Sequence, residues 1–141
     1  MRPRDGIREL RLEYSSRGDR VPGRLLLPPT ASGRRPLLLV LQGALDPERE
    51  RDPGSAWRSW ARAGSAVLSV DLPLHGARAS AKLSKRLRST LQPGIGGEQR
   101  ESSLWSDFLN QAVHDLRRAL DLAAQLEEVD GRRAGLAGLR L

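Results

Sequence analysis

Pro36-Leu37-Leu38-Leu39-Val40-Leu41-Gln42-Gly43 contains the only run of five consecutive bulky aliphatic residues in the chain, Leu37 to Leu41. An apolar run of this length with no polar interruption reads as a strand buried on both faces. It stops at Gln42-Gly43 and enters a loop carrying Asp46 and Pro47. A buried strand followed by a small-residue loop and then a helix begins a βαβ unit. In open α/β sheets, the loops at the carboxyl ends of such strands carry the chemistry.

Toward the N-terminus, Ile7 to Ser15 alternates, with Ile7, Glu9, Arg11 and Glu13 against Leu10, Leu12 and Tyr14. Period two means a strand with one buried face. Arg17-Gly18-Asp19 is a turn, and Val21 to Leu27 is the return strand, closed by Pro28-Pro29. Gly23 within it marks a bulge or a close backbone approach. These two segments form an antiparallel hairpin, and Thr30 to Arg35 is a surface loop leading to the aliphatic strand.

Toward the C-terminus, Asp46 to Gly54 is a charged, proline-containing loop, and Ser55 is placed to cap a short helix. Trp57, Trp60 and Ala61 share a helical face that packs inward, and Gly64 stands where a C-terminal glycine belongs. Ala66 to Asp71 is a second buried strand, so strand, helix and strand make one right-handed βαβ unit. Leu72 to Gly76 is a tight loop. Arg78, Lys82, Lys85, Arg86 and Arg88 then clothe a short helix in positive charge, and Gln92 to Gly97 reads as mobile. Residues 77–103 are thus a lid-like excursion over the top of the sheet.

Ser102 or Ser103 caps the clearest helix. Its stripe runs through Trp105, Phe108, Leu109, Ala112, Val113, Leu116, Ala119, Leu120, Ala123 and Leu126. Asp107 falls near its positive end, and Asp130-Gly131 ends it. Arg132 and Arg133 lead into Ala134 to Ala137, a third short buried strand, followed by Gly138, Leu139, Arg140 and Leu141.

The totals fit one α/β domain spanning residues 1–141. The chain has 38% hydrophobic and 4% aromatic residues, a net charge of +7 and a pI near 11.2. The charge is mostly arginine and reads as a solvated surface rather than a nucleic-acid site. With no cysteine, disulfides and thiolate metal centres are excluded. Met1-Arg2-Pro3-Arg4-Asp5 shows no signal-peptide pattern, and no apolar run approaches the ~20 residues of a membrane span. A cytoplasmic protein without membrane contact is expected, and no cofactor or metal is called for.

The order of these parts, and Asp71-Leu72-Pro73-Leu74-His75-Gly76 above all, resembles the α/β-hydrolase fold. Within it, the chain is similar to the dienelactone-hydrolase and prolyl-oligopeptidase-like esterases, whose turn reads Asp-x-Pro-Gly-His-Gly. The likeness covers the chain from about Val21 onward. It implies a three-layer α/β sandwich: an N-terminal antiparallel hairpin, then parallel strands with crossover helices, in an incomplete hydrolase sheet. The family's nucleophile elbow is Gly-x-Ser-x-Gly, a strained strand-to-helix turn. Laid on this chain, Gly138 is the first glycine, Leu139 the variable position, and Arg140 stands where the serine belongs. A guanidinium has no hydroxyl to accept an acyl group. The acid and histidine that follow in the family find no counterpart here. Gln42-Gly43 replaces the family's His-Gly at the oxyanion loop, where Ala44 or Leu45 would supply a backbone donor.

Other candidates receive plainer readings. His75 reads as a structural loop histidine rather than a base, and His114 as exposed on the wet side of the long helix. Asp71 reads as a turn residue that bonds nearby backbone. Gly135-Leu136-Ala137-Gly138 lacks the dinucleotide-binding pattern. The basic stretch 78–88 lacks the aromatics of a single-strand binder.

In the resembling fold, the strand at 37–41 lies between the strand at 66–71 and that at 134–137. In that fold a sixth strand normally covers the last one, and a chain ending at Leu141 is expected to leave it an apolar, unpaired edge that invites self-association. The expectation is an N-terminal portion of an ester hydrolase, inactive alone and acting on a small ester-type substrate once completed by further chain. The rival reading is a non-catalytic relative that binds or interacts. A basic nucleic-acid-binding domain comes third.

Overall fold

A computed structural model describes residues 5–29, 33–42, 54–90 and 99–139. In chain order the elements are β1 (Arg8–Ser16), β2 (Asp19–Leu27), β3 (Arg35–Gln42), α1 (Gly54–Arg62), β4 (Ala66–Val70), α2 (Ala81–Thr90), α3 (Gln99–Ala124) and β5 (Val129–Leu139). The five strands form one sheet in the order β1-β2-β4-β3-β5. β1 and β2 pair antiparallel without interruption, and β2 joins β4 antiparallel. β3 then lies parallel to β4 on one side and to β5 on the other. The expected α/β class, the hairpin and the place of β3 between β4 and β5 are all present.

The aliphatic run explains the layering. Leu37 and Leu39 join Leu25, Leu27, Leu68, Ala119, Ala123 and Val129 in the core beneath α3. Val40 turns to the other face and meets Leu26, Val67, Trp57 and Ala61 beneath α1, with Leu38 and Trp60 packed alongside. Period-two alternation thus feeds two cores from one strand, and every residue of β4 is buried. α1 ends in a Schellman motif: Gly64, at φ +110°, donates to the Ala61 carbonyl, and Ser65 donates to Trp60. Gly23 sits in a regular ladder and not at a bulge. A side chain there would meet Leu12 at 2.9 Å and the Ser69 carbonyl at 3.1 Å.

Several expected boundaries move. α1 includes Ser55 rather than being capped by it. α3 begins at Gln99, so Ser102 and Ser103 lie inside it and Asp107 is in its third turn. Gln99-Arg100-Glu101 are good helix formers, and they carry the helix upstream of the serines. At its other end α3 stops at Ala124 rather than at Asp130-Gly131. There Gln125, Leu126 and Val129 donate to the carbonyls of Leu122, Ala123 and Leu126 and turn the chain.

β5 is longer than the expected 134–137, and it is not buried: as the sheet's edge it leaves Ala134 to Leu136 exposed. The register jumps from Pro36–Asp130 to Leu37–Ala134, so Gly131, Arg132 and Arg133 bulge outward. Asp130 holds this bulge, accepting from the Arg132 N–H at 3.1 Å and from Arg133 Nε at 2.9 Å. The Arg133 hydrogen bond and then the Arg132 amide keep its carboxyl below the usual carboxylate range. Leu10, expected on the buried face of β1, is exposed on this outer strand, whereas Leu12 and Tyr14 pack on the core.

Candidate active site

The carboxyl ends of the three parallel strands lie level. Leu41 is paired with Val70 on one side and with Gly138 on the other, and Gln42 is paired with Leu139. The turn after β4 therefore begins beside the ends of β3 and β5. Gly138 and Leu139 close a parallel strand adjacent to residues 37–41. Gly43, Ala44, Leu45 and Arg140 lie outside the described residues, and Gln42 is placed only by its backbone at the end of β3.

The turn after β4 is built from its own side chains. Asp71 accepts the Ala77 N–H at 3.0 Å. Gly76 has φ +53°, and a Cβ there would stand 2.7 Å from Asp71 Oδ2, so a side chain would be strained and would have to displace the Asp71 carboxylate. Leu74, where the resembling turn has glycine, also has positive φ, +63°. His75 is buried, with Nδ1 2.7 Å from the Pro73 carbonyl oxygen and its ring against Phe108 of α3 at 5.6 Å. Ser84 of α2 donates to the Leu74 carbonyl at 2.7 Å. His114 is exposed on α3.

The turn is locked from below by a charge pair that the sequence reading missed. Asp115 of α3 is 0% exposed and accepts from Arg78 Nη1 at 2.6 Å. The same nitrogen donates to the Asp71 carbonyl at 3.0 Å, and Nη2 reaches Asp19 at 3.3 Å. Gln111 donates to the other Asp115 oxygen at 2.8 Å, while Tyr14 donates its hydroxyl to the Asp115 backbone carbonyl at 2.6 Å. Burial first, and then the Asp115 charge, push the Tyr14 hydroxyl well above its ordinary range. The signal was present in the sequence: Asp115 lies three residues after Ala112 and four before Ala119, on the inward stripe, where a carboxylate needs a cation.

A cleft of about 420 Å³ opens on the α1 side of the sheet, lined by Arg11, Glu13, Arg24, Ser69 and Asp71 among others. Its charges balance, and Arg24 is held by Glu9 through two bonds of 2.8 and 2.9 Å. Among the described residues no three His, Asp or Glu side chains gather as metal ligands. No helix among them is long and apolar enough to cross a membrane.

Comparisons with known proteins bear on this geometry. A family model described as SHNi-TPR matches residues 100–130. Those residues are α3 and the turn into β5, a single helix followed by a strand, rather than the helix pair of a tetratricopeptide unit. No curated protein matches the chain. Among solved structures, an acetyl xylan esterase from Paenibacillus sp. R4 is similar at TM-score 0.68 and 26% identity, over 96% of this chain and 42% of that one. A cold-adapted esterase from an Arctic intertidal metagenomic library aligns at TM-score 0.64 and 20% identity, covering 94% and 50%. A dienelactone hydrolase-like protein from Klebsiella pneumoniae aligns at TM-score 0.58 and 19% identity, also covering 94% and 50%. The chain spans half or less of the length of these structures. With this strand order and these neighbours, the fold is that of the α/β hydrolases, present over the part of it that these residues make up.

Proposed function

We propose that the chain is the N-terminal scaffold of an ester hydrolase of the dienelactone-hydrolase and acetyl-xylan-esterase type. In this reading it supplies the oxyanion loop at 42–45, the turn at 71–76 and the approach to the nucleophile elbow at 138–140. Residues 77–103, of which 91–98 lie outside the described residues, are assigned the role of a lid. The observation that supports this best is the level ending of β3, β4 and β5, with Leu41, Val70 and Gly138 in one register. A tetrahedral acyl intermediate needs backbone donors from the first loop facing a nucleophile on the last, and the strands that lead into those two loops end side by side. The substrate class is a small carboxylic ester, in keeping with the esterase names of the neighbours.

Arg140 stands at the nucleophile position, and the chain by itself carries no acyl acceptor there. The purified chain is therefore expected to leave p-nitrophenyl acetate at its background rate of hydrolysis. Turnover well above background that survives Arg140→Ala would overturn this assignment of the site. The second reading, a non-catalytic relative, draws on the same arginine: a guanidinium at an elbow that normally stabilises an anion suits a carboxylate or phosphate ligand.

A further inference from the structure

The cleft on the α1 side of the sheet lies over β1, β2 and β4, whereas further strands of the fold would join at β5, beyond β3. Its charges balance in sum but are sorted into two rows. In the first row Arg11 of β1 is paired with Arg24 of β2, and Arg24 with Ser69 of β4. In the second, Glu13 is paired with Pro22, whose carbonyl accepts the Asp71 N–H at 3.1 Å. Strand alternation turns these side chains away from Leu12, Leu25 and Leu68, which pack beneath α3, and all six residues line the cleft. The rows stand about 7 Å apart, two residues along each strand.

The first row holds more donors than acceptors. Like charges directly opposite each other repel, yet Arg11 and Arg24 are ladder partners. Glu9 answers for Arg24 alone, accepting from its Nε and Nη2 at 2.9 and 2.8 Å and leaving Nη1 unused. Arg11 forms no ion pair among the described residues. Ser69 is the one polar residue of β4 and is 8% exposed, and its hydroxyl has no hydrogen-bond partner among the described residues. A hydroxyl so enclosed costs free energy unless something bonds it, and the space it borders is the cleft. The second row is the reverse. Glu13 meets Arg20 at 3.6 Å on the surface, and Asp71 accepts the Ala77 N–H through Oδ2, leaving Oδ1 for another donor.

We infer that this cleft binds a small carboxylate-bearing molecule whose other end donates hydrogen bonds, as the ammonium of an amino acid or the hydroxyls of a sugar acid do. The carboxylate lies over the first row, where Arg11, Arg24 Nη1 and the Ser69 hydroxyl donate to it. The donors at the other end reach Glu13 and Asp71. The volume of about 420 Å³ is that of a small-molecule site. Two carboxylates in the second row repel a ligand of higher negative charge, which disfavours inorganic phosphate. The inference rests on the two rows and does not require the ester-hydrolase reading.

Backbone amide NMR of the purified chain tests it, with separate titrations of D-glucuronate, L-glutamine, glucose and inorganic phosphate. At least one of the first two is expected to saturate and to shift the amides of residues 11–13, 23–24 and 69–71; which one does so identifies the source of the donors. Glucose, which lacks the carboxylate, and phosphate, which lacks the second end, should not saturate. Arg11→Gln, at an exposed position, should weaken binding by roughly tenfold or more while leaving the circular dichroism unchanged. Ser69→Ala should weaken binding severalfold yet keep or raise the midpoint of thermal unfolding, because the hydroxyl has no bond within the fold to lose. A clear fall in that midpoint would place the hydroxyl in the fold rather than in the site and would count against the proposal. No saturation by either acid, equal saturation by glucose or phosphate, or binding indifferent to Arg11→Gln would each overturn it.

Discussion

At the scale of single residues, the turn after β4 separates two leucines of the same chemistry. Leu72 is 3% exposed and belongs to the cluster with Leu41 and Ala112. Leu74 is half-buried and stands in the left-handed region, which costs a side-chain-bearing residue about 1–2 kcal/mol. Leu72→Gly should therefore destabilise by about 3 kcal/mol or more through the lost core side chain. Leu74→Gly should stay within about 1 kcal/mol of the parent, since relief of strain offsets the lost contact and the added freedom of the unfolded chain. Urea denaturation followed by tryptophan fluorescence measures both. Equal losses would mean that the backbone at Leu74 is unstrained. The Asp-Leu-Pro-Leu-His-Gly pattern was legible as a turn; what the sequence left open was which positions carry positive φ.

At the scale of elements, α3 shows why an apolar stripe can be read correctly and still mislead. Residues 105–126 were legible as one long amphipathic helix. Ten residues were assigned to a single buried face, yet Leu109, Val113 and Leu120 lie outside it. Three- and four-residue steps span too wide an arc to separate the inner face from its flank. The inward arc instead includes Asp115, and that carboxylate depends on Arg78. Removing one member of a buried pair strands the other. Asp115→Leu or Arg78→Met alone is therefore expected to cost about 3–5 kcal/mol, and the double replacement much less than the sum. Additive losses in a double-mutant cycle would show that the two charges do not support each other. The hairpin and the parallel strands were legible because period two and unbroken aliphatic runs are local signals. The bulge at 131–133 was not, because it arises from matching β5 to a strand some ninety residues earlier in the chain.

At the scale of the whole molecule, the single tyrosine reports on the fold. Tyr14 links β1 to the Asp115 carbonyl, and its raised pKa has a definite sign. The folded state holds the phenol proton more tightly than the unfolded state, whose pKa is about 10. The stabilisation is complete below that value and is lost as pH rises beyond it. Tyrosinate absorbance should thus appear only above pH ~10 and together with loss of circular dichroism. Tyr14→Phe should abolish the absorbance and cost about 1 kcal/mol near neutral pH. Ionisation at the ordinary pKa with the fold intact would contradict the buried contact. At the acid end, Asp5 behaves in the opposite way. Its burial, the largest single influence, would raise the carboxyl's pKa, but the bond from Arg58 at 2.7 Å, the Ile7 amide and the Arg58 charge together outweigh that and hold it below the usual range. Its contribution therefore fades as pH falls through the folded value.

β4 has a consequence for how the protein is made. It is the only described strand with an antiparallel neighbour on one side and a parallel neighbour on the other. When a ribosome has released the hairpin and β3, those parts have no edge in common and must wait, with their leucines uncovered, for residues 66–70 to emerge. Five residues thus act as the clasp of the nascent chain. A pause in translation just before them would lengthen the interval in which a chaperone, rather than the sheet itself, has to shield those leucines.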